Sequence, residues 1–416
     1  MKMLRQLYES FVFAFTALKT NLLRTTLSLL GVTVGIFLII AVYTLVDSLE
    51  RNIKDSFSFL GADVVYIQKW PFVGGPDFPW WEYIKRPQAT YQEYELLKEN
   101  LKNQNGVAII SEIGNRTFKH GSNSIGTVNL TGSTYDYFKL LDTPIGMGRY
   151  FSMQEVEGGR PVAIIGHTVA TSLFPNEPAI GNEIKHRGYK FKVIGVLEEA
   201  GESFLGIESN DEKIIIPFKA FQKLYLTGSK YDGREATIGV SGLEEDADLE
   251  QLISEIKGLL RPVRGLRPGE KDNFSINKPE AIADVVSGVF GVVNVAGTII
   301  GLCAILIGGF GIANIMFVTV KERTPLIGIQ KSLGARNYFI LAQFLFESLL
   351  LSLIGGFCGI ILVYLLTFVP LGSLEIILTA KNIVIGVIIA SLTGILSGLI
   401  PAAKAAKLDP VIAIRS

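Results

Sequence analysis

The sequence predicts a membrane protein with four transmembrane α-helices and a large α+β domain inserted between the first and second. Three observations carry this. The 416 residues are 49% hydrophobic and only 19% charged, below the roughly 25% charge of an ordinary soluble domain. The apolar residues gather into four long runs instead of spreading evenly. Between the first two runs, the stretch 47–284 carries the alternating patterns and turn signals of a folded unit.

Taken in order, residues 1–24 place Leu4, Leu7, Tyr8, Phe11, Phe15 and Leu18 on one helical face, with Arg5, Glu9 and Lys19 off it. This suits a helix lying in the cytoplasmic leaflet or against the membrane domain. Residues 25–46 hold no charge. That run is too long for the apolar core of a signal peptide and lacks a small-residue cleavage site, so it reads as a retained span. Its helical spacing continues through Leu49, Ile53 and Phe57. The second span, 285–320, is 36 residues without a charge. As one helix it would reach about 54 Å, beyond a hydrocarbon core of roughly 30 Å. Part of it should project outward, forming a stalk with the extended first helix; a break near Gly288 or Gly291 is the alternative. The connecting segment 321–336 leads to a third span, 337–370, interrupted only by Glu347; a short external loop, 371–381, leads to the fourth, 382–403, and a tail, 404–416.

Orientation follows from the basic residues. Lys2, Arg5, Lys19 and Arg24 precede the first span, Lys321, Arg323, Lys331 and Arg336 lie between the second and third, and Lys404, Lys407 and Arg415 follow the fourth. The third-to-fourth loop offers only Lys381. The excess of basic residues places both termini and the segment 321–336 in the cytoplasm, and the stretch 47–284 outside.

Strand-like runs in the outer stretch are Val64–Gln68, Val107–Ile110, Val162–Ile165, Phe191–Leu197, Ile214–Pro217 and Ala236–Val240. Thr90 with Glu93, and Ser152 with Glu155, form capping boxes that start helices. Residues 236–240, a helix over 248–260 and a strand at 274–276 predict a βαβ-like unit. A Pro- and Gly-rich loop over 70–87 holds Trp70, Trp80 and Trp81. These aromatics are a candidate partner surface, or fold onto their own domain. The stretch is net acidic, which argues against a polyanion-gripping surface, and no nucleic-acid partner is expected.

No catalytic or metal constellation is found. The three histidines lack zinc-site spacing. The two cysteines, Cys303 and Cys358, lie in apolar runs and build no disulfide framework. There is no Gly-Lys dipeptide and hence no phosphate-cradling Walker A loop in these residues. Within the membrane, Glu347 is a candidate polar site. The small-x-x-x-small pairs Gly31/Gly35, Gly297/Gly301, Gly355/Gly359 and Gly394/Gly398 are candidates for close helix packing.

The connecting segment is charged at both ends and apolar at Leu326, Ile327, Ile329 and Leu333. It predicts a short amphipathic helix with Thr324 as N-cap, Pro325 at the first helical position and Gly334 as its stop. Its apolar face, centred on Ile327–Leu333, calls for either the protein's own membrane surface or a cytoplasmic partner.

At this segment the sequence resembles the MacB/FtsX-like permeases of ABC transporters. The likeness is carried by Gly311-Ile-Ala-Asn-Ile-Met316, by K-E-R-T-P-L-I-G-I-Q-K-S-L-G-A at 321–335, by Gln343-Phe-Leu-Phe-Glu347, and by the ending G-L-I-P-A-A-K-A-A-K-L-D-P-V-I-A-I-R at 398–415. The opening N-L-L-R-T-T-L-S-L-L-G-V-T-V-G at 21–35 and the outer runs R-P-V-A-I-I-G and F-K-V-I-G-V-L add to it. The resemblance implies a MacB-like periplasmic core domain, a bacterial inner-membrane location and a dimer of permease chains in contact with membrane lipids. It implies a separate cytoplasmic ATPase that binds ATP and Mg, the chain itself holding no cofactor. Lys321, Glu322, Arg323, Thr324, Pro325, Ile327, Gly328, Ile329, Lys331, Leu333, Gly334 and Ala335 would form the ATPase-coupling segment. A periplasmic adaptor and an outer-membrane channel are further implied partners. The implied function is mechanotransmission for export or release of a substrate. The alternatives are an FtsX-like regulator of a cell-wall hydrolase and a LolC-like lipoprotein-releasing permease.

Overall fold

The computed structural model describes residues 22–57, 60–61, 63–75, 77–141, 143–201, 210–243, 245–246, 248–369 and 374–415. The amphipathic helix expected before residue 22 lies outside them. The chain divides into two compact units, residues 53–287 and the flanking residues up to 52 and from 288.

The first unit is built on a ten-stranded sheet. Its strands are β1 (Val64–Gln68), β2 (Gln104–His120), β3 (Asn123–Ser133), β4 (Ile145–Gly148), β5 (Val162–Ile165), β6 (Glu183–His186), β7 (Tyr189–Leu197), β8 (Lys213–Pro217), β9 (Ala236–Gly242) and β10 (Ser275–Asn277). The order is β10-β1-β9-β2-β3-β8-β5-β7-β4, and β6 pairs with both β7 and the far end of β2, so the sheet curls back on itself. Strands β1 and β5 coincide with the expected runs, whereas β2 extends far beyond Val107–Ile110 into a long hairpin with β3. The βαβ-like unit forms around α8 (Glu250–Val263), but β9 and β10 do not touch: β1 lies between them, antiparallel to both.

Two sequence-local helix starts fold as their residues dictate. Helix α3 (Tyr91–Asn100) opens on a full capping box between Thr90 and Glu93, and α5 (Met153–Glu157) on one between Ser152 and Glu155. Arg149 forks onto Glu155 at 2.8 and 2.9 Å and, with the Ser152 hydrogen bonds, holds this carboxyl at about 2. One face of β1, β2 and β9 is covered by α3 and α8 through Leu97, Leu252, Ile256 and Leu260. A second core gathers Phe118, Phe191 and Ile214 beneath α6 (His167–Leu173) and α7 (Phe218–Leu224). A third lies around Tyr66, Ile164 and α4 (Tyr137–Leu140). The aromatic stretch, expected to be loop throughout, contains a short helix, α2 (Trp80–Ile84), started by Pro79.

His186 is a satisfied core histidine. One ring nitrogen, Nδ1, donates to the Thr117 carbonyl at 2.8 Å, and Nε2 accepts from the Tyr225 hydroxyl at 2.8 Å. Burial, aided by the charges of Arg187 and Arg116, pushes its pKa below the ordinary imidazole value. The unfolded chain therefore takes up this proton first as pH falls below about 6.5. The sheet domain is expected to lose stability on acidification, and His186→Gln to flatten that dependence; hydrogen exchange of β6 and β7 in the full chain between pH 7 and 5 checks it.

The second unit holds most of the four helices that are long and apolar enough to cross a membrane: α1 (Leu22–Phe57), α9 (Pro279–Glu322), α11 (Asn337–Leu366) and α12 (Ala380–Ala406). The fourth-helix entry is tied to α1: Asn382 Nδ2 donates to Asp47 Oδ2 at 3.0 Å, and the Ile377 N–H to Ser48 Oγ at 3.0 Å. Helix α9 is one unbroken helix of 44 residues, about 66 Å long. No break occurs at Gly288 or Gly291: each glycine costs a helix only about 1 kcal/mol relative to alanine, and the helix runs on through both.

Candidate functional site

The connecting segment forms α10 (Thr324–Ser332), and the chain's end forms α13 (Pro410–Arg415), which packs on it. The helix start differs from expectation. Arg323 is the N-cap, Thr324 opens the helix and Pro325 follows. The Thr324 hydroxyl is turned back to the Val320 carbonyl at 2.9 Å and caps nothing. The preceding helix ends only at Glu322, so the chain has a single residue in which to turn. The stop is built by Gly334: with φ +96° it lets its own N–H reach the Lys331 carbonyl and the Ala335 N–H reach the Gln330 carbonyl, both at 3.0 Å. This is the double hydrogen bond of a Schellman cap, which needs a left-handed residue at that position.

A turn of 100° per residue separates the segment into two faces. Arg323, Ile327, Gly328 and Lys331 fall on one side; Leu326, Ile329 and Leu333 fall on the other. The first face meets the permease. Ile327 is 2% exposed, packed in a core with Met316, Val320, Ile340 and Phe344. Lys331 Nζ donates to the carbonyls of Ala406 and Leu408, at 2.9 and 2.6 Å, where α12 ends. The second face is open: Leu326, Ile329 and Leu333 are 53%, 49% and 84% exposed. Ile327 therefore does not belong to a docking face. The sequence reading grouped it with them as one more apolar side chain, although it shares its side of the helix with Arg323 and Lys331 and packs against α11. Lys321, Glu322, Pro325 and Gly334 are exposed, and Ala335 is half-buried.

Glu347 is buried on α11 and meets Arg323 at 3.4 Å. This partner went unrecognised in the sequence, although a helix-ending arginine beside an intramembrane acid was the signal for it. Four of the eight candidate packing glycines lie in an antiparallel ladder between α1 and α9: Gly31 faces Gly308, Gly35 faces Ala304, and Gly297 and Gly301 face Val42 and Ile39. Gly355 and Gly359 face α1 at Val32 and Thr33, while Gly394 and Gly398 face Ser352 and Ser348 of α11. The tryptophans part company. Trp70 stacks on Tyr83 with centroids 6.1 Å apart and donates to Glu235, whereas Trp80 and Trp81 are exposed. Among the described residues no group of three or more His, Cys, Asp or Glu side chains could hold a metal ion.

Four membrane-length helices, a sheet domain inserted after the first and a short capped helix between the second and third define a multi-pass permease architecture. Residues 25–259 match the MacB-like periplasmic core domain, and residues 298–410 the FtsX-like permease C-terminal region; the chain belongs to the MacB/FtsX-like family of ABC transporter permeases. Among its relatives, the macrolide export ATP-binding/permease protein MacB of Wolinella succinogenes is 30% identical over 99% of this chain and 61% of its own length. The pyoverdine export ATP-binding/permease protein PvdT of Pseudomonas aeruginosa is 29% identical over 99% of this chain and 59% of its own. The chain thus spans about three-fifths of the relatives it matches. A crystal structure of the periplasmic region of MacB from Actinobacillus actinomycetemcomitans superposes with a TM-score of 0.43 at 17% identity, covering 55% of this chain and 94% of that one.

Proposed function

We propose that this chain is the membrane-spanning part of an ATP-driven exporter, and that α10 receives the movement of a cytoplasmic ABC ATPase and passes it on toward the sheet domain. The observation that carries this reading is the open ridge of Leu326, Ile329 and Leu333 on a helix whose opposite face is locked into the permease. A capped helix with one anchored and one unpartnered apolar face is built to be pushed by something else. The basic residues Lys321, Arg323, Lys331 and Arg336 support a cytoplasmic position for it. An ABC-type ATPase cradles ATP in a Walker A loop, and no such loop occurs in these residues. In this reading ATP and Mg are held by the ATPase, and a second copy of the chain completes the permease. Relatives named for macrolide export and for pyoverdine export support export as the activity.

Co-expression of the full chain with tagged ABC ATPases of the same genome is expected to recover one of them in stoichiometric yield. Changing Leu326, Ile329 and Leu333 together to aspartate should cut that recovery about thirtyfold, the loss of a hot-spot cluster worth about 2 kcal/mol, with the four helices still inserted. Unchanged recovery, or labelling of a cysteine at Ser332 by an impermeant reagent from the outside, would overturn the reading.

A further inference from the structure

The mounting of α10 is more specific than docking requires. Arg323, Ile327 and Lys331 recur every four residues, so they form one stripe along the whole helix. Each holds a different part of the permease. Arg323, at the junction with α9, meets the buried Glu347 of α11 at 3.4 Å. Ile327 sits in the core between them. Lys331, in the last turn, donates to the Ala406 and Leu408 carbonyls at the end of α12. The Ala406 carbonyl closes α12 at the negative end of its dipole, and the Leu408 carbonyl lies two residues beyond it, so an ammonium is the group that suits this end of the helix.

A nine-residue helix fixed at one end would pivot under load. Fixed at both ends, on two different spans, it cannot turn without carrying them along. We propose that Arg323, Glu347 and Lys331 are positioning residues: two polar struts that make α10 a rigid extension of α11 and α12, so that force applied to its open ridge moves both spans. This rests on the docking reading above and goes beyond it by naming the path the force takes inside the permease. Glu347 serves as the fixed end of a strut; it lies at 7% side-chain exposure with Arg323 at 17%, where the pair is shielded from water but its arginine still reaches the edge. Low dielectric strengthens such a pair, and loss of one partner leaves the other buried without compensation.

The test uses the full chain in lipid nanodiscs, with Cys303 and Cys358 replaced by alanine and a spin label at exposed Ser332. Glu347→Gln and Lys331→Met keep size and stem but remove the struts. Each should increase the label's motion, and the charge exchange R323E/E347R should restore the parent spectrum. With the ATPase added, both single variants should retain its binding, since the ridge is untouched. The ATP-driven change at a second label on Tyr364, near the far end of α11, should fall about tenfold, within the range of ordinary coupling between sites. Restoration by the charge exchange is a result that simple misfolding would not give. Unchanged label motion in both variants overturns the proposal, as does increased motion with an undiminished response at Tyr364. Failure of the parent chain to bind any ATPase would fall on the docking reading instead, and the Ser332 label would still decide the mounting.

Discussion

Replacing Arg264 with alanine is expected to destabilise the sheet domain by about 3–5 kcal/mol, the cost of leaving one partner of a buried ion pair behind. Arg264 ends α8 and is 2% exposed at its side chain; it forks onto Glu93 of α3, with Nε to Oε1 at 2.7 Å and Nη2 to Oε2 at 3.0 Å. Its other donors reach the carbonyls of Pro87, Gln88 and Asn273. One guanidinium therefore ties two helices and two loops, and alanine would strand Glu93 at 7% exposure. Lysine keeps the charge but loses the fork, so Arg264→Lys should fall between. The double variant E93Q/R264A should recover part of the loss, because the amide still accepts from the Thr90 N–H and no longer buries a charge. All three tryptophans lie in this domain. Denaturant titration of the full chain followed by tryptophan fluorescence thus reads it alone, and a change below about 1 kcal/mol would show the pair to be dispensable.

The second large effect is expected in the helical unit. A side chain at Gly394 of α12 would place its Cβ 2.8 Å from Ser352 Cβ, 2.9 Å from Leu349 Cα and 2.9 Å from the Ser348 carbonyl oxygen. Two of these are backbone atoms, which cannot rotate away. Gly394→Val must push α11 and α12 apart, costing at least the 1–3 kcal/mol typical of overpacking. The same shift would break the Ser352 hydroxyl's bond to the Ala390 carbonyl at 2.6 Å. In lipid, where close packing itself holds helices together, that loss has no hydrophobic compensation. Cysteines at 352 and 390 should cross-link readily in the parent and poorly in Gly394→Val. Gly291→Ala, where no atom lies within 4 Å of the added carbon, should be tolerated.

The features read correctly from sequence were those whose cause is local. Runs such as Val64–Gln68 and Val162–Ile165 are β-branched and bounded by turn residues, and each became a strand with the same ends. The capping boxes at Thr90 and Ser152 satisfy their own helix ends within four residues, so nothing distant can override them. The β2–β3 hairpin escaped notice because Asn123–Ser133 is polar and glycine-bearing, and holds its place through β2 on one side and β8 on the other. Glu93 was visible as a cap, but its pairing with a residue 171 positions away was not. In the connecting helix the stop at Gly334 was legible. Its start was not, since Thr324 turned back to the preceding helix, which ends at Glu322.

Composition and periodicity by themselves determined that this is a four-span chain with a folded insertion, because an apolar run long enough to cross lipid admits only a helix, wherever its neighbours lie. They also determined that the segment 321–336 is a short helix with apolar residues along it. Which stripe faces inward, which acid pairs with Arg323, and which glycine meets which helix were decided only by tertiary structure. Those choices depend on contacts between residues far apart in the chain, and a 3.6-residue period records that a face is apolar without recording what covers it.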